Sequence, residues 1–541
     1  MGFLVLAGWA TPAVVLAADD AARCADHEDL VEIHGALEAL RSPRARHGLQ
    51  DFEPATVKAS LTKLERLRER LDRCPAKTWP LPERVDAVLV RSMLDQHEFM
   101  LRVARPWARD PGFFVDPLYA PAFTELPARG EDRAELEAKL AGIPKALAEA
   151  RGTLSDVARD YAQLALRNLT QADGVGHGHP FRTQPPPGVL GWYEDLKSRA
   201  EKVQPDLLPR IAKATEAIRA FEAWLRSKSF SAEAGVGAEV YDWYLRHVKL
   251  MPYTAAELEV LAEREIARLG ALLALARHRN RALPALAPAK SAEDYQARIR
   301  AADRDVRTWI EEASILTVPD FVGALDTNVP WIVRPGGRNF WEEIQYRDPT
   351  PDHVHAVIPG HRFDWKVSEA QTHPIRRTYW DAGRVEGWAV YLEEMAQQTG
   401  LLDERPRTHE LFYIFGLKRA TRIVVDIGMQ HNRMSVDDAV RFMTERVPFL
   451  DDAVARVDAE IYIRRPPGYG LSYTVGKLQI ERLLARRARR LGARFDLEAF
   501  HDELLSLGRI PVSLIAWQMT GGGAAQHLEN PRRLGEVLNP G

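Results

Sequence analysis

The stretch His355-Ala356-Val357-Ile358-Pro359-Gly360-His361-Arg362-Phe363 places two imidazoles six residues apart around a Pro-Gly pair. On an unbroken helix that spacing turns the second side chain about 240° from the first, so one helix cannot bring both to a common point. Pro359 removes a backbone donor and Gly360 relaxes the chain. The segment therefore predicts a helix that breaks between the histidines. Glu386, in Val385-Glu386-Gly387-Trp388-Ala389-Val390-Tyr391, adds a carboxylate from a following amphipathic run through Leu392 and Met395. His355, His361 and Glu386 together have the composition of a catalytic zinc site, three protein ligands with one position left for water. Zinc suits this mixture of imidazole and carboxylate. The usual H-E-x-x-H pattern has Glu directly after the first His to accept a proton, and here that position is Ala356.

Outward from this segment most of the chain reads as amphipathic helix. Asp29 to Leu40, Pro54 to Asp72, Pro144 to Leu169, Asp206 to Ser227 and Thr254 to Arg279 all repeat apolar residues at three and four. Thr254 and Glu257 form a capping box at the start of the last of these. Between Thr317 and Tyr346 the texture changes. Val329 to Arg334 and Ile344 to Arg347 are short β-branched or aromatic runs bounded by Pro, Gly and Asp, which predict a small sheet beside the histidines. Such an edge would suit an extended peptide. Punctuation at Pro185 to Gly188 and at Leu283 to Pro288 marks connections, the second being the expected lobe boundary. The expectation is a mainly α, two-lobed body around a cleft, with an N-terminal lobe over 18–285 and a C-terminal lobe over 286–541.

A net charge of −3 over 541 residues, with acids and bases nearly balanced, gives no reason to expect a nucleic-acid partner. Phe3 to Ala17 is apolar, too short to span a bilayer, and ends in small residues before Ala18-Asp19-Asp20. It reads as a signal peptide over 1–17 lacking the usual positive start, and points to a periplasmic or secreted protein. No later run is long and apolar enough for a membrane helix. Cys24 and Cys74 are either paired in an oxidising compartment or two buried thiols. The Gly176-His177-Gly178-His179 stretch reads as a loop. Oligomeric state is left open.

Five blocks in the C-terminal half carry a family resemblance. They are His355 with Pro359-Gly360-His361; Glu386 to Tyr391; Arg422-Ile423-Val424-Val425-Asp426-Ile427-Gly428; Pro467-Gly468-Tyr469-Gly470-Leu471-Ser472-Tyr473-Thr474-Val475-Gly476; and Phe500-His501-Asp502 with Gly508-Arg509-Ile510-Pro511. In order and spacing the chain resembles family 885 of the bacterial domains of unknown function, helical relatives of the gluzincin metallopeptidases. The resemblance implies a metallopeptidase-like scaffold. The chain departs from the family pattern at Ala356 (Glu), Arg362 (His), Gln430 (His) and Tyr469 (Gln).

The expected activity is a zinc-dependent hydrolase cleaving peptide or related amide bonds, with an unassigned general base. The alternatives are a pseudopeptidase that binds peptides in a retained cleft, and a metal-dependent enzyme of altered reaction type. Candidate bases are Asp352, His353, Asp364, Glu342 and Glu343. Tyr473 is the candidate donor to a developing oxyanion. Arg362 is the candidate for binding a substrate carboxylate. Glu393 and Glu394 are placed to orient or solvate, and His431 lies beside the family's His position.

Overall fold

Thr254 accepts from the backbone N–H of Glu257 while the Glu257 carboxylate accepts from that of Thr254, and a 25-residue helix follows over Ala255–Arg279. The same kind of signal starts helices elsewhere, and helix dominates the chain. The computed structural model describes residues 24–41, 45–46, 49–50, 52, 54–172, 184–327, 329–334, 336–522 and 532–538. The expected signal peptide and the His177/His179 loop lie outside the described residues.

Helices α1 (His27–Arg41), α2 (Pro54–Asp72) and α3 (Leu81–Phe99) open the fold. Cys24 and Cys74 are joined by a disulfide that ties the chain before α1 to the end of α2, with Cα atoms 4.8 Å apart. The run read as one helix over Pro144 to Leu169 is the end of one helix, Gly130–Thr153, and most of a second, Arg159–Thr170. The long helix already described is α4 (Ala255–Arg279), and α5 (Ala292–Glu312) follows the proline-rich connection.

Apolar clusters draw on distant parts of the chain. Leu30, Ile33 and Leu94 share a core with Trp388, Leu504 and Ile515, while Tyr161 and Leu269 pack with Phe415 and Tyr462. Residues from both sides of position 285 thus bury the same surfaces.

Among the described residues the expected sheet beside the histidines is absent. Asn339 and Glu342 form a reciprocal capping box that starts a helix over Phe340–Gln345, so the Ile344 run lies in helix and turn. Val329–Arg334 carries no strand; Trp331 stacks on the Tyr346 ring at 4.3 Å, and the Tyr346 hydroxyl accepts from Ile332 N–H. The β-branched and aromatic character comes from this packing. Among the described residues the only ladder is a two-residue pairing of Ala45–Arg46 with Leu49–Gln50. No helix among them is long and apolar enough to cross a membrane.

Candidate metal centre

Helix α6 (Thr350–Ala356) ends one residue after His355, and α7 (His361–Glu369) begins at the second histidine. Val357 to Gly360 turn the chain between them, with a cis Ile358–Pro359 peptide. Gly360 passes so close beneath α6 that a Cβ there would overlap the carbonyls of His355 and Val354. The break inferred from Pro359-Gly360 is present, and it brings His355 Nε2 to 3.2 Å from His361 Nε2.

Glu386 comes from α8 (Ala382–Gln398), whose course is fixed by three contacts. The Trp388 indole, fully buried, donates to the Pro359 carbonyl at 3.0 Å. Arg384 on α8 pairs with Asp364 on α7 at 2.9 Å, both out of solvent. Gly387 lies against Gly476 of α10 (Ser472–Leu491), so closely that a Cβ on Gly387 would stand 2.5 Å from Gly476 Cα. Glycines at both positions let two backbones touch, which sets Glu386 and Tyr473 on facing helices.

Glu386 Oε2 stands 3.3 Å from His361 Nε2 and 3.9 Å from His355 Nε2. Two ligands each about 2.05 Å from a tetrahedral ion are separated by about 3.3 Å, so this triangle fits a zinc-sized cation. The three donor atoms all lie within 4.8 Å of one another. Burial, helped by Arg419, pushes the His355 pKa well below the ordinary imidazole value. Burial works against charge on His361 too, but Glu386 holds its pKa above that value. Burial likewise opposes the Glu386 carboxylate, and His361 holds its pKa below the usual range.

Behind His355 stands Glu393, whose Oε1 lies 2.7 Å from His355 Nδ1. Arg419, on α9 (Thr408–Gln430), donates to Glu393 Oε2 at 3.0 Å and its Nη2 lies 3.2 Å from His355 Nδ1. Burial pushes the Glu393 carboxyl up to about 8 in spite of Arg419. In this geometry His355 Nδ1 accepts from Arg419, since a guanidinium can only donate, and Glu393 Oε1 is the acceptor within reach should a metal on Nε2 put the ring proton on Nδ1. Arg419 was not singled out in the sequence; its signal is its place one turn before Arg422, on a helix with a family block. Glu394 is engaged elsewhere, by Arg268 and Lys477.

The remaining candidates divide. Tyr473 is buried beside the Tyr469 ring, its hydroxyl has no hydrogen-bond partner of good geometry among the described residues, and the Arg422 guanidinium lies 4.2 Å over its ring. Tyr469 is closer to the ligands, with its hydroxyl 3.4 Å from Glu386 Oε1. His353 points away from the trio, its Nε2 3.0 Å from Asp303 of α5. Asp364 is taken by Arg384, Glu342 by its cap and Arg334, and Glu343 by Arg338 and Arg347. His431 caps α9 against the Tyr241 ring, and Gln430 donates to the Tyr462 carbonyl. Asp426 accepts from Tyr241 and from the N–H groups of Gly468 and Gly470, so this family block anchors the loop that leads into Tyr473.

A second group, His27, Asp86 and His373, also converges. Its carboxylate is already bonded to Arg376 Nε at 2.7 Å, and the Arg376 N–H approaches His373 Nδ1 at 3.4 Å, which leaves the ring proton on Nε2. It acts as a hydrogen-bonded clasp of α1 and α3 on the later chain.

The fold and site define a mainly helical protein with a two-His, one-Glu cluster at a helix break. The chain belongs to the family described as bacterial protein of unknown function (DUF885), which matches residues 37–326 and 352–519. It is similar to a solved candidate lipoprotein of unknown function from Shewanella oneidensis, with 20% identity, a TM-score of 0.65, and coverage of 91% of this chain and 97% of that one. A candidate lipoprotein from Colwellia psychrerythraea is similar over 93% of this chain and 99% of that one, at 18% identity and a TM-score of 0.66. At these identities the likeness concerns the fold. No curated protein matches.

Proposed function

We propose that this protein is an exported metal-dependent hydrolase of peptide or related amide bonds, with zinc held by His355, His361 and Glu386. The observation that carries the reading is the convergence of three donor atoms, 3.2 to 3.9 Å apart, from segments that the Pro359-Gly360 break and the Gly387/Gly476 contact bring together. Zinc in such a set supplies Lewis-acid polarisation of a carbonyl and acidification of water. Glu393 would accept the Nδ1–H of a metal-bound His355, and Arg419 holds Glu393. Tyr473 has a free hydroxyl to donate to an oxygen that gains charge. The relation to gluzincin peptidases, and with it the loss of a family Glu at Ala356, belongs to this reading.

With the other acids paired to cations and Asp352 bonded to the neutral Gln345, Asp352 is the candidate base. It precedes Ala356 by one turn, on the same helix face, and burial raises its carboxyl pKa. Export is supported by the Cys24–Cys74 disulfide, by the signal-like start and by the lipoprotein descriptions of the two similar structures.

A second reading is a pseudopeptidase that binds without cleaving. It is favoured by Ala356, whose side chain packs against apolar core where a base would stand. Incubation of the zinc-loaded protein with a peptide mixture, read by mass spectrometry, separates the two. Cleavage that chelation and Glu386→Ala both abolish supports the hydrolase. Bound zinc without cleavage supports the second reading, and a large gain in Ala356→Glu identifies a lapsed peptidase. Cleavage without such a gain points to a different base or an altered reaction.

A further inference from the structure

Arg362 follows the candidate ligand His361 in the first turn of α7. Its Nη1 is buried and has no hydrogen-bond partner among the described residues. A guanidinium nitrogen removed from water without an acceptor is costly, so the fold holds it there at a loss unless a ligand completes it. The neighbouring carboxylates are otherwise engaged: Asp364 by Arg384, Glu386 by His361 and Glu393 by Arg419. Asp352 is bonded to Gln345. The other cations at the site have partners, since Arg419 is met by Glu393, and Arg422 and Lys418 share Asp458. Gly360 offers α7 no side-chain cap, which leaves the positive end of the helix on the same side.

We propose that Arg362 receives the free carboxylate terminus of a peptide or an acylated amino acid bound at the metal centre. The planar fork of arginine matches a carboxylate with two parallel hydrogen bonds, and an amide cannot return the same pair. Arg362 is thus a specificity-determining residue, and the substrate class is a short peptide-like acid. This rests on the metal-centre reading above.

The test uses the full, zinc-loaded chain, with zinc content measured before each titration. N-acetyl-alanyl-alanine and N-acetyl-phenylalanyl-alanine are titrated by calorimetry, each as the free acid and as its C-terminal amide. The expected result is that the acids bind the parent at least tenfold more tightly than the amides. Arg362→Gln should bring the acids to the level of the amides with zinc content unchanged, and Arg362→Lys should keep part of the preference. Equal binding of acid and amide overturns the proposal, as does binding of neither, or a preference that survives in Arg362→Gln. A parent chain that binds no zinc overturns the metal centre and this proposal together; a zinc-loaded chain without acid preference overturns this proposal alone.

Discussion

His355 Nε2 and His361 Nε2 stand 3.2 Å apart although five residues of chain lie between them. Gly360 makes this possible by passing where any side chain would meet the carbonyls of α6. Gly360→Ala should therefore cost about 3 kcal/mol of stability by overpacking and separate the two imidazoles. Urea denaturation and zinc titration of the same sample would show both losses, and an unchanged zinc affinity would contradict the account.

Glu393 reaches no other candidate ligand in this geometry and works through His355 Nδ1. Glu393→Gln keeps the size but removes the carboxyl group that would accept the Nδ1–H of a metal-bound His355. Zinc affinity should fall by about 10- to 100-fold, as for other partners of metal-bound histidines. Competition with a chromogenic chelator measures it; an affinity within twofold of the parent would rule out this role.

Tyr473 carries a hydroxyl with no hydrogen-bond partner of good geometry among the described residues, so its removal takes little from the folded state. Tyr473→Phe should leave stability within about 1 kcal/mol of the parent. If the hydroxyl donates to a developing oxyanion, turnover of a cleaved peptide should drop by about 10²-fold or more. A large loss of stability with turnover intact would assign Tyr473 to packing.

His501 gives a pH dependence away from the metal centre. Its Nδ1–H donates to the Ile315 carbonyl at 2.6 Å and its Nε2 accepts from the Tyr391 hydroxyl at 2.8 Å, which is a satisfied neutral ring. Burial lowers its pKa to about 4. The unfolded chain, with an imidazole near 6.5, binds the proton first. Stability is thus fully present above about pH 6.5 and is lost as pH falls toward 4, by up to about 3 kcal/mol from this group. Denaturant melts at pH 7 and pH 5 should show the loss in the parent and a smaller one in His501→Gln. An equal loss in both would place the acid sensitivity elsewhere.

Much of the site was legible because its signals are local. Pro359-Gly360 requires a break wherever it interrupts a helix, and Thr254 with Glu257 caps a helix in any context. The sheet expected near Tyr346 failed for a local reason too. Asn339 and Glu342 carry the same capping pattern, and their helix overrides the β-branched run that follows. Glu393 and Arg419 are different. Their roles depend on how α8 and α9 face each other across His355, and no spacing along the chain encodes that. The same holds for His353, adjacent in sequence to the ligand helix face yet turned to Asp303.

The central claim is that three side chains hold one metal ion. The most direct measurement is the zinc content of the purified chain by mass spectrometry of the elements, beside His355→Ala and Glu386→Ala prepared in the same way. One zinc per chain in the parent, with substoichiometric metal in both folded variants, is the predicted result. A parent that folds without metal and takes up none on titration, or variants that keep full stoichiometry, would contradict it.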